Sequence, residues 1–320
     1  MMHIETPLLF SDPLSKVIGS KVYLKIEALQ PSGSFKNRGI GQFCAEKVNQ
    51  GAQEFVCSSG GNAGLAASFA ARQLGFPITV VVPQSTPRMM MDKIQAEGAR
   101  IIQKGKDWQE ADQCARELCE SRGSCYVPPF DDPLIWTGNA TLIHEVASAG
   151  LKPDAIVVSI GGGGLFCGVI QGMHDVGWEK VPVYAVETEG AASFASALKD
   201  GRVVEIDHID TVAKSLGARA VTRQAVTWAQ SHPVFSKVVS DKSAIKACRL
   251  FSEDHRILVE PACGAALSLC YDRDVDLQAH KTILVIVCGG AAVSPEMLIK
   301  WSEEVGLDEC FFDNDDAGLG

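Results

Sequence analysis

Lys36 sits in the run Pro31-Ser32-Gly33-Ser34-Phe35-Lys36-Asn37-Arg38-Gly39. A strand is predicted over 22–27 before it, and a helix from about Asn37. A lysine at a helix start is normally a solvated charge. Here its neighbours are Phe35 and small residues, a partly desolvated setting that lowers an amine pKa because burial disfavours the charged form. A neutral amine can form a Schiff base with a carbonyl and later act as a base.

Two glycine-rich loops could meet an anion. Ser58-Ser59-Gly60-Gly61-Asn62-Ala63-Gly64 follows the apolar run 55–57, and Gly161-Gly162-Gly163-Gly164-Leu165 follows 155–160. Each leads into a predicted helix, whose first N–H groups have no partner inside the helix and attract negative charge. The first loop suits a carboxylate as well as a phosphate. Four consecutive glycines cost backbone entropy, which a tight anion cradle explains better than a plain turn. No Gly-Lys-Ser/Thr follows, so this is not a Walker A loop. Glu187 lies near the spacing of a dinucleotide fingerprint, but the third glycine would fall on Phe166. A monophosphate therefore outranks NAD. Cys288-Gly289-Gly290 closes the apolar run 283–287, where a buried thiol and a ligand contact are equally good explanations.

These residues need a scaffold that brings strand ends together. Apolar, β-branched runs at 55–57, 78–82, 155–160, 183–186 and 283–287 read as buried parallel strands. Helical stretches at 64–74, 88–97, 108–121, 165–175 and 262–271 alternate with them. Such alternation gives α/β layers around parallel sheets, which bind ligands beyond the carboxyl ends of their strands. Pro128-Pro129-Phe130-Asp131-Asp132-Pro133 can be neither a regular helix nor a central strand and is expected to connect domains. Two domains are expected, a small one over 35–140 and a large one from 1–34 plus 141–320, with the ligand in the cleft between them.

The chain has 320 residues, 46% of them hydrophobic, and a formal net charge of −10. That charge argues against nucleic acid or an anionic membrane as partner. Its eleven cysteines contain no CxxC pair. They read as reduced, buried thiols of a cytoplasmic protein rather than a disulfide framework or zinc site. The seven histidines form no HxxxH or HxH pair. The N-terminus shows no secretory signal, and no apolar run reaches the roughly 20 residues of a membrane span. Acidic residues Asp308, Glu309, Asp313, Asp315 and Asp316 mark a frayed C-terminal end.

Taken together, and with Val259-Glu260-Pro261-Ala262-Cys263-Gly264-Ala265-Ala266, these segments resemble the fold-type II pyridoxal 5'-phosphate (PLP) enzymes, of the tryptophan synthase β type. Within them the sequence is similar to the serine dehydratase family, with the motifs in the family's order over nearly the whole chain. The resemblance implies that Lys36 holds PLP covalently, with Phe35 and Ser215 flanking the ring. It places Asn62 on the ring hydroxyl and Cys288 at the pyridine nitrogen. The N–H groups of Gly161, Gly162, Gly163, Gly164 and Leu165 would hold the phosphate. Ser59, Gly60, Asn62 and Ala63 would hold the substrate carboxylate. Glu187, Ala191, Ser193, Leu216 and Ala218 would surround a monovalent cation, usually potassium.

The implied activity is β-elimination of L-serine and L-threonine to pyruvate or 2-oxobutanoate and ammonia, by a homodimer acting in amino-acid catabolism and gluconeogenesis. Gly60 resembles the serine dehydratase-like subgroup, where the family varies between alanine and glycine. A serine racemase is the nearest rival, but such enzymes resemble Ser-(Ser/Ala)-Gly-Asn-His at the second motif, and that histidine is absent here. The biosynthetic threonine dehydratases carry a C-terminal regulatory domain, which is not expected here, and the Thr-Ser-Gly-Asn-Thr type of motif of O-acetylserine sulfhydrylases does not occur at the second motif. A PLP-binding protein with little turnover is a rival of another class.

Overall fold

A computed structural model describes residues 2–307. The acidic end expected after Gly306 lies outside the described residues from Asp308 onward, as does Cys310. The described residues form ten strands: β1 (Leu8–Ser11), β2 (Lys21–Lys25), β3 (Phe55–Cys57), β4 (Ile78–Val82), β5 (Arg100–Gln103), β6 (Cys125–Val127), β7 (Ala155–Ser159), β8 (Val183–Thr188), β9 (Val234–Val239) and β10 (Thr282–Ile286). They form two sheets. The larger has the order β1-β2-β10-β7-β8-β9 and the smaller β5-β4-β3-β6. Every pairing is parallel except β1 with β2.

The central strands are where the sequence is most apolar. Every residue of β3, β4, β7 and β8 is buried, as a parallel strand covered by helices on both faces requires. Strands β5 and β9 are only partly buried and stand at sheet edges. The run expected to be a strand over 22–27 stops at Lys25, and Glu27 instead enters a 3-10 turn. Its buried carboxylate is needed there: it accepts from Arg38 Nε at 2.7 Å and from Thr6 Oγ1 at 2.6 Å.

The chain leaves the large sheet through the helix Lys36–Asn49 and returns through residues 128–132. Pro133, expected to be part of that connection, is instead the first residue of the helix Pro133–Ser148. Proline fits there because the first turn needs no N–H from it, and Asp132 caps the helix by accepting from Leu134 N at 2.8 Å. The two helices cross closely. A Cβ on Gly39 would lie 2.5 Å from the Ile135 carbonyl, and one on Gly138 would lie 2.5 Å from that of Arg38. Beneath the crossing, the fully buried Arg38 pairs with Glu27 and with Glu145, and Glu145 also pairs with Lys25. This network fixes the start of the helix that carries Lys36.

Candidate active site

A cavity opens beyond the carboxyl ends of β7 and β10, against the start of the helix Lys36–Asn49. It draws together Phe35, Lys36, Asn62, the loop from Gly161 to Leu165, Ser215 and Cys288, residues far apart in the chain. Phe130, Ser159 and Glu260 complete walls that the sequence reading left without a role.

Main-chain bonds join the Lys36 turn to the end of β10. Phe35 N donates to Cys288 O at 3.0 Å, Gly290 N donates to Gly33 O at 3.0 Å, and Ser34 forms an isolated antiparallel bridge with Gly289. Lys36 Nζ lies 5.3 Å from the centre of the Phe35 ring and donates to the Pro129 carbonyl. Lys36 keeps some exposed surface because it lines the cavity, but protein surrounds its amine. Burial pulls its pKa down to about 8, against the weaker opposite influence of Cys57, Glu260 and Cys288. Near neutral pH a usable fraction of the amine is therefore uncharged.

The glycine loop leads into the helix Gly164–Asp175, with Gly163 at its cap in the left-handed region at φ 98°. The N–H groups of Gly161, Gly162, Gly163, Gly164 and Leu165 donate to no acceptor among the described residues. Five free donors at a helix N-terminus are the chemistry that holds a phosphate. Packing adds a second reason for glycine, since a Cβ on Gly162 would lie 2.5 Å from the Phe130 ring.

Asn62 opens the helix Asn62–Leu74 and is buried. Its Nδ2 donates to Glu260 at 2.8 and 3.0 Å, while its Oδ1 has no partner. Ser215 Oγ donates to Glu260 Oε1 at 2.6 Å. Ser59, Gly60 and Ala63 do not line the cavity itself; they flank Asn62. Ser59 Oγ accepts from Gly61 N at 3.3 Å. Cys288 is buried and shares a hydrogen bond with Cys263, which together with burial raises its thiol pKa far above the ordinary range.

Glu187 is one of the last two residues of β8, Ala191 ends the 3-10 turn that follows, and Ser193 opens the helix Ser193–Asp200; all three are buried. Glu187 accepts from Phe194 N at 2.7 Å and Ala195 N at 2.8 Å, and so caps the helix Ser193–Asp200. Burial pushes its carboxyl up to about 7 against the pull of those two donors. The buried hydroxyls of Ser193 and Thr188 have no partner. Leu216 packs against Gly161, and its carbonyl accepts from Ala218 N at 2.7 Å. No cluster of three or more His, Cys, Asp or Glu side chains suited to a metal occurs among the described residues.

A depressed amine, five free N–H donors able to hold a phosphate, and the Phe35 ring in the wall fit PLP. Residues 1–289 match the family described as pyridoxal-phosphate dependent enzyme. The chain is 47% identical over 316 residues to the human L-serine dehydratase/L-threonine deaminase, covering 96% of each protein. It is 46% identical to the mouse serine dehydratase-like protein, covering 95% of each. The crystal structure of a fungal L-serine ammonia-lyase from Rhizomucor miehei superposes with a TM-score of 0.91 at 40% identity, over 95% of this chain and 99% of that one. The chain belongs to the pyridoxal-phosphate dependent enzymes, in the group formed by the serine dehydratases and serine dehydratase-like proteins.

Proposed function

We propose that this protein is a PLP-dependent ammonia-lyase that removes water from L-serine and L-threonine, releasing ammonia with pyruvate or 2-oxobutanoate. The carrying observation is that Lys36, with its amine held near pKa 8, shares one cavity with five unpartnered loop N–H groups. PLP bound there supplies an electron sink that makes the Cα–H of an attached amino acid acidic.

The chain's residues do the rest. Lys36 would hold the cofactor through Nζ and, once the amino group of the substrate has displaced it there, would take the Cα proton on the freed Nζ. The N–H groups from Gly161 to Leu165 hold the phosphate. Phe35 and Ser215 would confine the ring, Asn62 would meet its hydroxyl, and Cys288, its thiol kept protonated, would meet the pyridine nitrogen without charging it. Ser59, Gly60, Asn62 and Ala63 hold the substrate carboxylate at the start of the helix Asn62–Leu74. Elimination is favoured over racemisation because position 63 is alanine and no histidine lines the cavity.

The same proposal includes a monovalent cation, potassium, at Glu187, Ala191, Ser193, Leu216 and Ala218. The unpartnered Ser193 hydroxyl and the two remaining acceptor sites of Glu187 support it. It also includes a small domain over 35–140 and a large one from 1–34 plus 141–320, a division the two sheets support. A homodimer rests on family resemblance. The ten cysteines among the described residues are all unpaired, which supports residence in the reducing cytosol. No helix among the described residues is long and apolar enough to cross a membrane.

The test is steady-state pyruvate formation by the PLP-loaded protein, with L-serine, L-threonine and D-serine compared. L-Serine should yield pyruvate and L-threonine 2-oxobutanoate. Interconversion of L- and D-serine with little pyruvate would favour a racemase, and no turnover would favour a binding protein.

A further inference from the structure

Glu260 has no role in the account so far, yet it meets both sides of the cleft. It stands at the N-cap position of the helix Pro261–Tyr271 without capping that helix with its side chain. The residue belongs to the cavity wall and is 3% exposed. Asn62, which follows a strand of the small sheet, donates to both of its oxygens at 2.8 and 3.0 Å. Ser215, on the side of the large sheet, donates to Oε1 at 2.6 Å, and Ala292 N donates to Oε2 at 3.4 Å. Glu260 is the acceptor in every one of these bonds.

A buried acid with satisfied oxygens is often only structural. Here the partners are the residues read above as touching the cofactor ring. A carboxamide can turn over in place and exchange its donor end for its acceptor end. Asn62 cannot do so beside Glu260, because its Oδ1 would then face two acceptor oxygens. Its nitrogen is therefore held on the side of the cavity wall. One N–H is taken by the carboxylate and the second is left for a ligand acceptor. The single hydroxyl proton of Ser215 is likewise committed to Glu260, which leaves its oxygen as an acceptor.

We propose that Glu260 is a positioning residue for the cofactor, fixing Asn62 as a hydrogen-bond donor and Ser215 as an acceptor around the ring. This rests on the reading of the cavity as a PLP site. Its consequence is that the ring oxygen beside Asn62 is stabilised in its deprotonated form, since a donor favours the charged acceptor.

Three readouts on apo-protein and reconstituted protein test it: PLP affinity, the pH at which the absorbance of the bound ring hydroxyl titrates, and the melting temperature of the apo form. Glu260→Gln should melt near the parent, bind PLP about tenfold more weakly, as loss of one charge-assisted contact implies, and titrate its ring hydroxyl at higher pH. Asn62→Asp should bind poorly, with two carboxylates in contact. In the double variant Asn62→Asp with Glu260→Gln, the carboxamide introduced at position 260 can donate to the carboxylate introduced at position 62. The melting temperature should recover while PLP affinity should not, because the new carboxylate has no hydrogen to offer the ring. Recovery of PLP affinity in the double variant would show that Asn62 acts through its carbonyl and would overturn the proposal. So would a Glu260→Gln protein with the parent's affinity and titration. If Glu260→Gln fails to fold, Glu260→Asp keeps the charge but not the reach, and parental affinity and titration there would contradict the proposal equally. A parent protein that takes up no PLP at all would instead refute the reading of the cavity, and this proposal with it.

Discussion

Phe35 and Cys288 are joined through the backbone, the N–H of Phe35 donating to the carbonyl of Cys288 at 3.0 Å. The residue before the lysine read as holding the cofactor and the residue read as facing the pyridine nitrogen are thus held in fixed relation, and the Cys288 thiol stays protonated. A neutral partner leaves the ring a weaker electron sink, which suits β-elimination, where the departing hydroxide carries charge away, more than transamination. Cys288→Ser should keep most of the elimination rate. Cys288→Asp should lower it and raise the share of transamination products. Both are checked by product analysis alongside measured PLP content, and an Asp variant with full PLP, full rate and parental product ratio would contradict the argument.

Lys36 sets a pH dependence. PLP capture needs the neutral amine, so the rate of PLP uptake by apo-protein should rise with pH and level off above about 8. A solvated lysine would keep gaining to roughly 10.4. Stopped-flow absorbance over this range checks it. The unfolded chain binds more protons than the folded one between about 8 and 10.5, so this group's contribution to stability grows with pH across that window. Lys36→Met should therefore stabilise apo-protein at pH 7, by up to about 3 kcal/mol, and the gain should vanish above pH 10.5.

Arg38 is fully buried between Glu27 and Glu145. Arg38→Ala leaves two carboxylates with less than their share of positive charge and should cost about 3–5 kcal/mol in urea denaturation. Lys16, exposed and paired with Asp12 on one helix, is the control, and Lys16→Ala should cost under about 1 kcal/mol.

Potassium should raise the melting temperature of the parent and stimulate its activity. A bulky organic cation should do neither. Glu187→Ala should abolish the potassium response and also loosen the helix Ser193–Asp200 that Glu187 caps. An unchanged potassium response in that variant would remove Glu187 from the cation site.

The most apolar strands were legible in the sequence. The runs at 55–57 and 78–82 are β3 and β4 residue for residue, because a strand buried on both faces leaves little room for polar side chains. The helix Pro133–Ser148 was hidden behind a segment dense in proline, and β5 and β9 by their half-exposed patterns. In the cavity, Lys36, the glycine loop and Cys288 were marked by strand-end spacing. Glu260 stood inside the motif 259–266, but no feature of the sequence assigned its side chain a role. An acid before Pro261 reads as an ordinary helix start, and its importance lies in Asn62 and Ser215, which approach it from distant parts of the chain. Glu187 was legible as an acid at a strand end, but its bonds to Phe194 and Ala195 depend on a turn that spacing alone does not define.

The most direct measurement is borohydride reduction of the PLP-loaded protein followed by peptide mapping. The account predicts one dominant phosphopyridoxyl adduct, on the peptide carrying Lys36, and its loss in Lys36→Ala together with pyruvate formation from L-serine while the melting curve stays cooperative. A stoichiometric adduct on any other lysine, or undiminished pyruvate formation by Lys36→Ala, would contradict it.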